Sequence, residues 1–392
     1  MAPPSLPVEL WLDIFRWATL SSSTLSLSAT QYQPFQASCA SPAESVDWEI
    51  VAVKRTLVCV CKLWRELARD LLYEDVVIWR NLPSLQKALH AGDVGEDKTR
   101  RVHRACLPYL SCTPETCEET AAIASLLQSC PQLEVLSRPQ AGRPGTDLLT
   151  FDFPAVDCPA LQSLKRLDWW HYNEAARSGG YNSLSDVLRA APNLEYLSIG
   201  GDLWLNLLQR GSLELPSLTT LRIRRMNILF MQQICRWSMP SLRNIVIDVF
   251  STPRLLDPLW DHYGDQVKTM ELGRDLKFFV MDIVSHILGC CSTLEELGYF
   301  VMFTAAPQVP QHEHSTLATL RWHIAPNGFF PTGEHEFWSH LVEHVELFTR
   351  PLFPALKRIV LHGDWSDVLV DDRFVPLAKK FRERNIVLES SF

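Results

Sequence analysis

The residue types able to do chemistry are few and mostly isolated along the chain. Cys59 and Cys61 form a Cys-x-Cys, Cys112 and Cys117 a Cys-x4-Cys, and Cys290 and Cys291 are adjacent. None gives the paired Cys-x2-Cys that structural zinc prefers, and on one helix Cys59 and Cys61 would point about 200° apart. Buried packing is the expectation for these thiols. His335, Glu336, His340 and His344 offer an i, i+4 histidine pair that could touch a metal, the chemistry of a metal-dependent hydrolase. His335 and His340 stand one residue too far apart for the zinc-protease pattern, so a solvated or capped helix face is the plainer expectation. His312 and His314 fall in a loop-like stretch, and Asp371 with Asp372 reads as surface. No Gly-rich phosphate loop, Gly-x-Ser-x-Gly elbow or dinucleotide fingerprint occurs. Gly is only 16 of 392 residues, which leaves few places where backbone could approach a phosphate. No catalytic residue, metal or cofactor is expected.

Composition narrows the class further. Hydrophobic residues make up 47% and charged residues 21%, ordinary for a folded protein, and the formal charge is −8. That balance argues against nucleic acid or an anionic membrane as the main partner. The basic run Lys98–Arg104 reads as a solvated strand edge or turn. The first fifteen residues hold no Lys or Arg, so no secretory signal is read, and the uncharged stretch 17–43 is too polar to span a bilayer. Eleven scattered cysteines then fit a reducing compartment. The expectation is an intracellular, soluble protein of cytoplasm or nucleus.

The elements that must position any site fall into two kinds. Residues 6–18 read as an amphipathic helix, with Pro7 at its start, Glu9 in the first turn, and Leu10, Ile14 and Ala18 recurring beside Trp11 and Phe15. Residues 19–47 lose the pattern. They are Ser-rich, without Lys or Arg, with one acid, Glu44, up to residue 46 and Asp47 at the end, and read as a flexible insertion. Helical spacing returns from Trp48 to Leu72 through Leu57, Val60, Cys61, Trp64, Leu67, Ala68 and Leu71. From about residue 98 a Pro-x-Leu-x-x-Leu unit repeats, its leading positions being Leu133, Leu161, Leu194, Leu218, Leu242, Val267, Leu294, Leu317 and Leu356. Helical segments at 116–130, 184–191, 203–210, 228–237, 277–290 and 334–349 precede strand units, and Pro stops each helix and sets the chain extended. The longer steps, 133–161, 161–194 and 317–356, imply insertions such as the Gly/Pro-rich 139–158 and the turn at 178–183.

Strand alternation then predicts a binding face. With Leu194, Leu197 and Ile199 inward, Tyr196 and Ser198 are exposed, and the same register exposes Arg166, Asp168 and Trp170. Carried onward it reaches Thr220, Arg222, Arg224, Asn244, Asp248, Thr269, Glu271, Glu296, Arg321, His323, Arg358 and His362. The mixture of aromatics, Arg and acids suits protein recognition. The target-contact candidates are Arg166, Trp170, Tyr196, Arg222, Arg224, Asp248, Glu271, Arg321, His323 and Arg358, with plain solvated strand positions as the alternative.

Two resemblances carry a function. LPVELWLDIF at 6–15 and LVCVCKLWRELARDLLYEDV at 57–76 resemble the F-box, through Leu6, Pro7, Glu9, Leu10, Ile14 and Phe15, then Val60, Cys61, Trp64, Arg65 and Leu67. The steps of the Pro-x-Leu units mostly fall in or near the roughly 20–29-residue period of leucine-rich repeats, and the Pro-anchored, divergent copies look like the fungal versions of F-box proteins with such repeats. The family joins the F-box halves by a short loop; here 19–47 intervene, at little entropic cost for a surface loop. The resemblance implies an α/β fold: an F-box-like helical segment over 1–80, then a curved leucine-rich repeat solenoid over 81–392, strands inside and helices outside. It further implies a substrate receptor of a cullin–RING ubiquitin ligase. Leu6, Pro7, Leu10, Ile14, Phe15, Leu57, Val58, Cys61, Trp64 and Leu67 would dock a Skp-type adaptor, with internal helix packing as the alternative use. The repeats would hold an unknown target protein for ubiquitin-dependent degradation. A repeat scaffold outside any ligase is the alternative function.

Overall fold

The computed structural model describes residues 6–20, 30–36, 48–78, 82–90, 98–107, 117–138, 157–172, 176–202, 212–225, 228–249, 256–328 and 334–391. The chain forms two compact units, one of residues 1–31 with 36–218 and one of residues 32–35 with 219–392. The helix expected at 203–210, most of the 139–158 stretch, Cys112, and the insertion apart from 19–20 and 30–36 lie outside the described residues.

In the first unit α1 spans Val8–Ala18. Pro7 is its N-cap rather than its first helical residue, and the Thr19 hydroxyl donates to the Phe15 carbonyl at the other end (2.8 Å). The helical stretch expected over 48–72 consists of two helices, α2 (Trp48–Val60) and α3 (Lys62–Glu74). Cys61 breaks it: its backbone is extended (φ −158°, ψ 173°), and its Sγ caps α3 by accepting from the Trp64 N–H at 3.5 Å. α3 leads directly into β1 (Asp75–Val77), which pairs in parallel with β2 (Arg104–Cys106). Pairing continues in chain order through β3 (Val135–Arg138), β4 (Arg166–Tyr172) and β5 (Tyr196–Asp202). The intervening helices are α4 (Leu82–His90), α5 (Cys117–Gln128) and α6 (Leu184–Ala190).

The second unit carries β6 (Thr220–Ile223), β7 (Asn244–Ile247), β8 (Thr269–Leu272), β9 (Glu296–Phe300), β10 (Thr319–His323), β11 (Arg358–His362) and β12 (Val387–Ser391). Each pairs in parallel with the next. Between them lie α7 (Ile228–Ile234), α8 (Asp257–Tyr263), α9 (Lys277–Val280), α10 (Ile283–Cys290), α11 (Glu334–Phe348), α12 (Ser366–Val370) and α13 (Phe374–Glu383). The helical stretch 277–290 is thus two helices, parted at Met281, whose backbone is extended. Parallel strands joined by helices or loops in strict chain order are compatible with a repeat solenoid.

The repeated unit works differently from the simple extended segment expected of it. In Cys130–Leu133, Ala191–Leu194, Leu215–Leu218, Met239–Leu242 and Phe353–Leu356 the last Leu N–H donates to the carbonyl three residues back, at 3.1–3.3 Å. Pro occupies the second position of each, where its fixed φ suits a β-turn. The Leu that ends each turn is buried, and the strand starts two residues later. Strand pairing is then seeded by one carbonyl accepting two successive N–H groups, as Lys165 O does from Glu195 and Tyr196 and Lys268 O does from Glu295 and Glu296. The register stacks Leu221, Ile245, Met270, Leu297, Leu320 and Ile359 into one buried apolar row. Truncating one such Leu would cost about 2–5 kcal/mol.

Candidate functional site

The N-terminal helices separate an inner from an outer face. Phe15, Leu57 and Ala68 form a small core against which Trp11, Val53, Val58, Trp64, Leu67 and Leu71 pack. Phe15 meets Trp64 edge-on with ring centroids 4.8 Å apart, and Trp11 meets Trp64 at 4.9 Å. On the other side of α1, Leu10 (47% exposed), Ile14 (45%) and Trp17 (75%) face solvent at helical spacing, and Leu6, just ahead of the helix, is exposed as well. Of the ten adaptor candidates, Leu6, Pro7, Leu10, Ile14 and Cys61 are exposed, Val58, Trp64 and Leu67 half-buried, and Phe15 and Leu57 buried. Trp17, Val60 and Leu63 are exposed apolar neighbours not among the candidates. The i, i+4, i+7 series Leu10, Ile14, Trp17 was the signal that could have found Trp17.

The basic run is not a solvated edge. Arg104 pairs with Asp75 and Glu74, Arg101 with Asp70, and Lys98 Nζ donates to the Ala88 carbonyl at 3.1 Å. Lys54, buried, also reaches Asp75 at 2.5 Å. Burial alone would push the Asp75 carboxyl up, but hydrogen bonds and charge from Arg104 and Lys54 hold it below the usual range.

On the strands of the first unit the expected exposure of Arg166, Asp168, Trp170, Tyr196 and Ser198 is corrected to burial. Arg166 Nε donates to Asp168 Oδ2 at 2.7 Å, and its guanidinium lies 4.3 Å from the Tyr196 ring centroid. The neighbouring Arg138 stacks over Trp169 at 4.7 Å and donates to Tyr181 O and Asn182 Oδ1. Paired, stacked guanidiniums can be buried where single charges cannot.

The second unit brings several target candidates together. Arg222, Arg224 and Glu271 are buried, while Asp248, Arg321, His323 and Arg358 are half-buried. Arg222 holds Asp248 with two bonds (2.8 and 2.7 Å), and Arg321 holds Glu296 at 2.6 Å. Register places Glu271, Gly298 and Arg321 side by side in one row and Phe300, His323 and His362 in the next. Into that corner fits a piece of the stretch read as a flexible insertion. Glu271 Oε2 accepts from the Tyr32 hydroxyl (2.9 Å) and the Phe35 N–H (2.7 Å). The Phe35 ring sits edge-on to Phe300, His323 and His362, at 5.1, 5.0 and 4.8 Å. Burial pushes Glu271 up to about 7, against the lowering pull of Arg222 and the two donors, with Asp248 adding to the rise.

Of the α11 histidines, His335 is exposed as expected, but His340 and His344 are inside rather than solvated. His340 Nε2 stands 2.9 Å from the Val301 carbonyl, an acceptor only, so that nitrogen carries a hydrogen. His344 Nε2, 3.2 Å away, is then the lone-pair partner, and His344 Nδ1 lies 3.0 Å from the Tyr299 hydroxyl. Burial, with His340 alongside, drives His344 down to about 3. Among the described residues no group of three or more His, Cys, Asp or Glu is placed to hold a metal ion. Cys59, on α2, and Cys61, in the break between α2 and α3, are exposed, against the expected burial. Cys106, Cys130 and Cys291 are buried.

No family model matches the chain, and no curated protein matches it. Among solved structures it is similar to a protein from Bacteroides fragilis, with 14% identity and a TM-score of 0.40, covering 83% of this chain and 76% of that one. Among the described residues no helix is long and apolar enough to cross a membrane.

Proposed function

We propose that this protein is a substrate receptor of a cullin–RING ubiquitin ligase. Its F-box-like helices dock a Skp-type adaptor, and leucine-rich repeats of the fungal type hold a target protein. The chemistry of transfer lies in the ligase, and this chain acts by proximity. The observation that carries the reading is the two-faced α1, which fills its own core with Trp11 and Phe15 while presenting Leu10, Ile14 and Trp17 outward. Leaving such a stripe in water forgoes about 1.5–3 kcal/mol per large side chain that a partner would recover. The test is co-purification with the adaptor. The wild-type chain should capture it and a Leu10→Asp, Ile14→Asp variant should not, both keeping the same far-UV circular dichroism. Equal capture by both, or by neither, would sink the proposal. Point substitutions serve better than a truncation near residue 80, because β1 pairs with β2 and its loss would bare a strand edge.

One observation favours the alternative of a repeat scaffold outside any ligase. α3 runs without a break into β1, so the helices also serve as an N-terminal cap on that sheet. On that reading the wild-type chain captures no adaptor, and the same measurement decides.

A further inference from the structure

The corner where Tyr32 and Phe35 lie has the features of a built ligand pocket. Its floor is Gly298, the one position in its row without a side chain; a Cβ there would meet Phe35 Cζ at 3.5 Å, Arg321 Cβ at 3.6 Å and Glu271 Cγ at 3.7 Å. A Cβ would thus just fit, and any larger side chain there would compete with the Phe35 ring for the same space. One wall is the aromatic trio Phe300, His323 and His362. The other is Glu271, almost wholly buried, and its two bonds from Tyr32 and Phe35 bridge more than two hundred residues of sequence. Arg222 also holds Asp248 and Arg321 also holds Glu296, so the two cations beside Glu271 are shared with other carboxylates. Phe35 docks at a cost: its φ is 55°, a left-handed backbone that a bulky side chain rarely adopts and that costs about 1–3 kcal/mol. Contacts with the corner must outweigh that strain for the segment to stay.

We propose that the corner of Glu271, Gly298, Phe300, Arg321, His323 and His362 recognises a peptide turn. Such a turn presents one aromatic ring with a tyrosine hydroxyl and a backbone N–H as donors, and Tyr32–Phe35 is an internal occupant that it must replace. The ring enters over Gly298, and the two donors converge on one carboxylate oxygen. Because the occupant belongs to the same chain, it competes at the effective concentration of a tethered ligand. An external peptide therefore binds with its intrinsic dissociation constant divided by the fraction of molecules whose corner is vacant, which is weaker than its intrinsic binding. This deepens the target-binding half of the function proposed above and rests on it, while standing independent of the adaptor end.

The test uses the full chain and a fluorescein-labelled synthetic peptide of residues 30–37, TQYQPFQA. A Tyr32→Phe, Phe35→Ala double variant vacates the corner and should bind the peptide at least tenfold tighter than wild type. Adding Glu271→Ala to that variant should abolish the gain. So should Gly298→Leu, which fills the ring's space from the strand and keeps the Glu271 carboxylate should the Ala variant fold poorly. Equal binding by wild type and the double variant overturns the internal-occupant half. Tight binding that survives both Glu271→Ala and Gly298→Leu overturns the assigned pocket. Adaptor co-purification from the same preparations reports on the ligase reading separately, so loss of adaptor capture with peptide binding intact sinks the ligase and leaves the pocket standing.

Discussion

Glu271 sits where a full negative charge is poorly tolerated, and stability should register it. Its carboxyl is pushed from 4.5 to about 7 by burial, despite Arg222, the Phe35 N–H and the Tyr32 hydroxyl, and with Asp248 adding to the rise. Between those two values the folded protein holds a proton that the unfolded chain has released. Its contribution is therefore full below about pH 4.5 and lost as pH rises through 7. The histidines run the other way. His362, lowered to about 4 by burial, Arg321 and His323, and His344, lowered to about 3, refuse protons when folded and cost stability as pH falls below 6.5. A difference measurement isolates the carboxylate. From pH 5 to pH 8 the urea-unfolding free energy of wild type should fall by about 1–3 kcal/mol relative to Glu271→Gln. A pH-independent difference would mean that Glu271 ionises as an ordinary surface acid. The sequence marked Glu271 as a target-contact candidate but not as a buried one. Alternation put it on the polar strand face, but its partners Tyr32 and Phe35 are far away in the chain, where periodicity carries no information.

At the level of elements, α1 and the Pro-x-Leu turn make opposite bets on neighbouring residues. In α1 the contrast lies between Phe15, enclosed by Trp11 and Trp64, and Trp17, which touches little of its own chain. Phe15→Ala should cost about 3–5 kcal/mol in thermal or urea unfolding, whereas Trp17→Ala should stay within about 0.5 kcal/mol of wild type. In the turn Met239–Leu242 the Leu side chain is buried and Pro240 is exposed. Leu242→Ala should therefore cost about 2–5 kcal/mol, and Pro240→Ala at most about 1 kcal/mol, mainly through the unfolded chain. Reversal of either order would undo the assignment of inner and outer residues. These elements differ in how far they could be read beforehand. The places of the Pro-x-Leu units and the helices α5, α6, α7 and α11 were legible because apolar spacing and Pro mark them locally, though the turn within each unit was not. The break at Cys61 was not, since a thiol cap leaves the helical period intact. Strands β1 and β2 were missed because three residues are too few to show alternation, and β12 because its outer residues are barely buried. The strand faces were misjudged for a different reason: Arg166 and Arg222 look like surface residues until Asp168 and Asp248 neutralise them from a neighbouring position.

For the molecule as a whole, the two proposed activities use separate side chains. The outward stripe of α1 belongs to the first unit, and the Glu271 corner, with Tyr32–Phe35, to the second. No residue is shared between the two sets. Substitutions at sites without common partners usually combine within about 0.3–0.5 kcal/mol of additivity. A double-mutant cycle therefore follows. Leu10→Asp with Ile14→Asp should remove adaptor capture while changing peptide affinity less than about twofold in the vacated-corner background. Glu271→Ala should remove peptide binding and leave adaptor capture within the same margin. Combining all three should give both losses and nothing further. A cycle that closes means that a bound target is held without altering the docked end, so that assembly with the ligase and choice of target are set independently. If peptide saturation instead shifts adaptor affinity more than about fivefold, the sites are coupled by roughly 1 kcal/mol or more. The internal occupant would then have to be understood as a switch on the docked end as well as a guard on the corner.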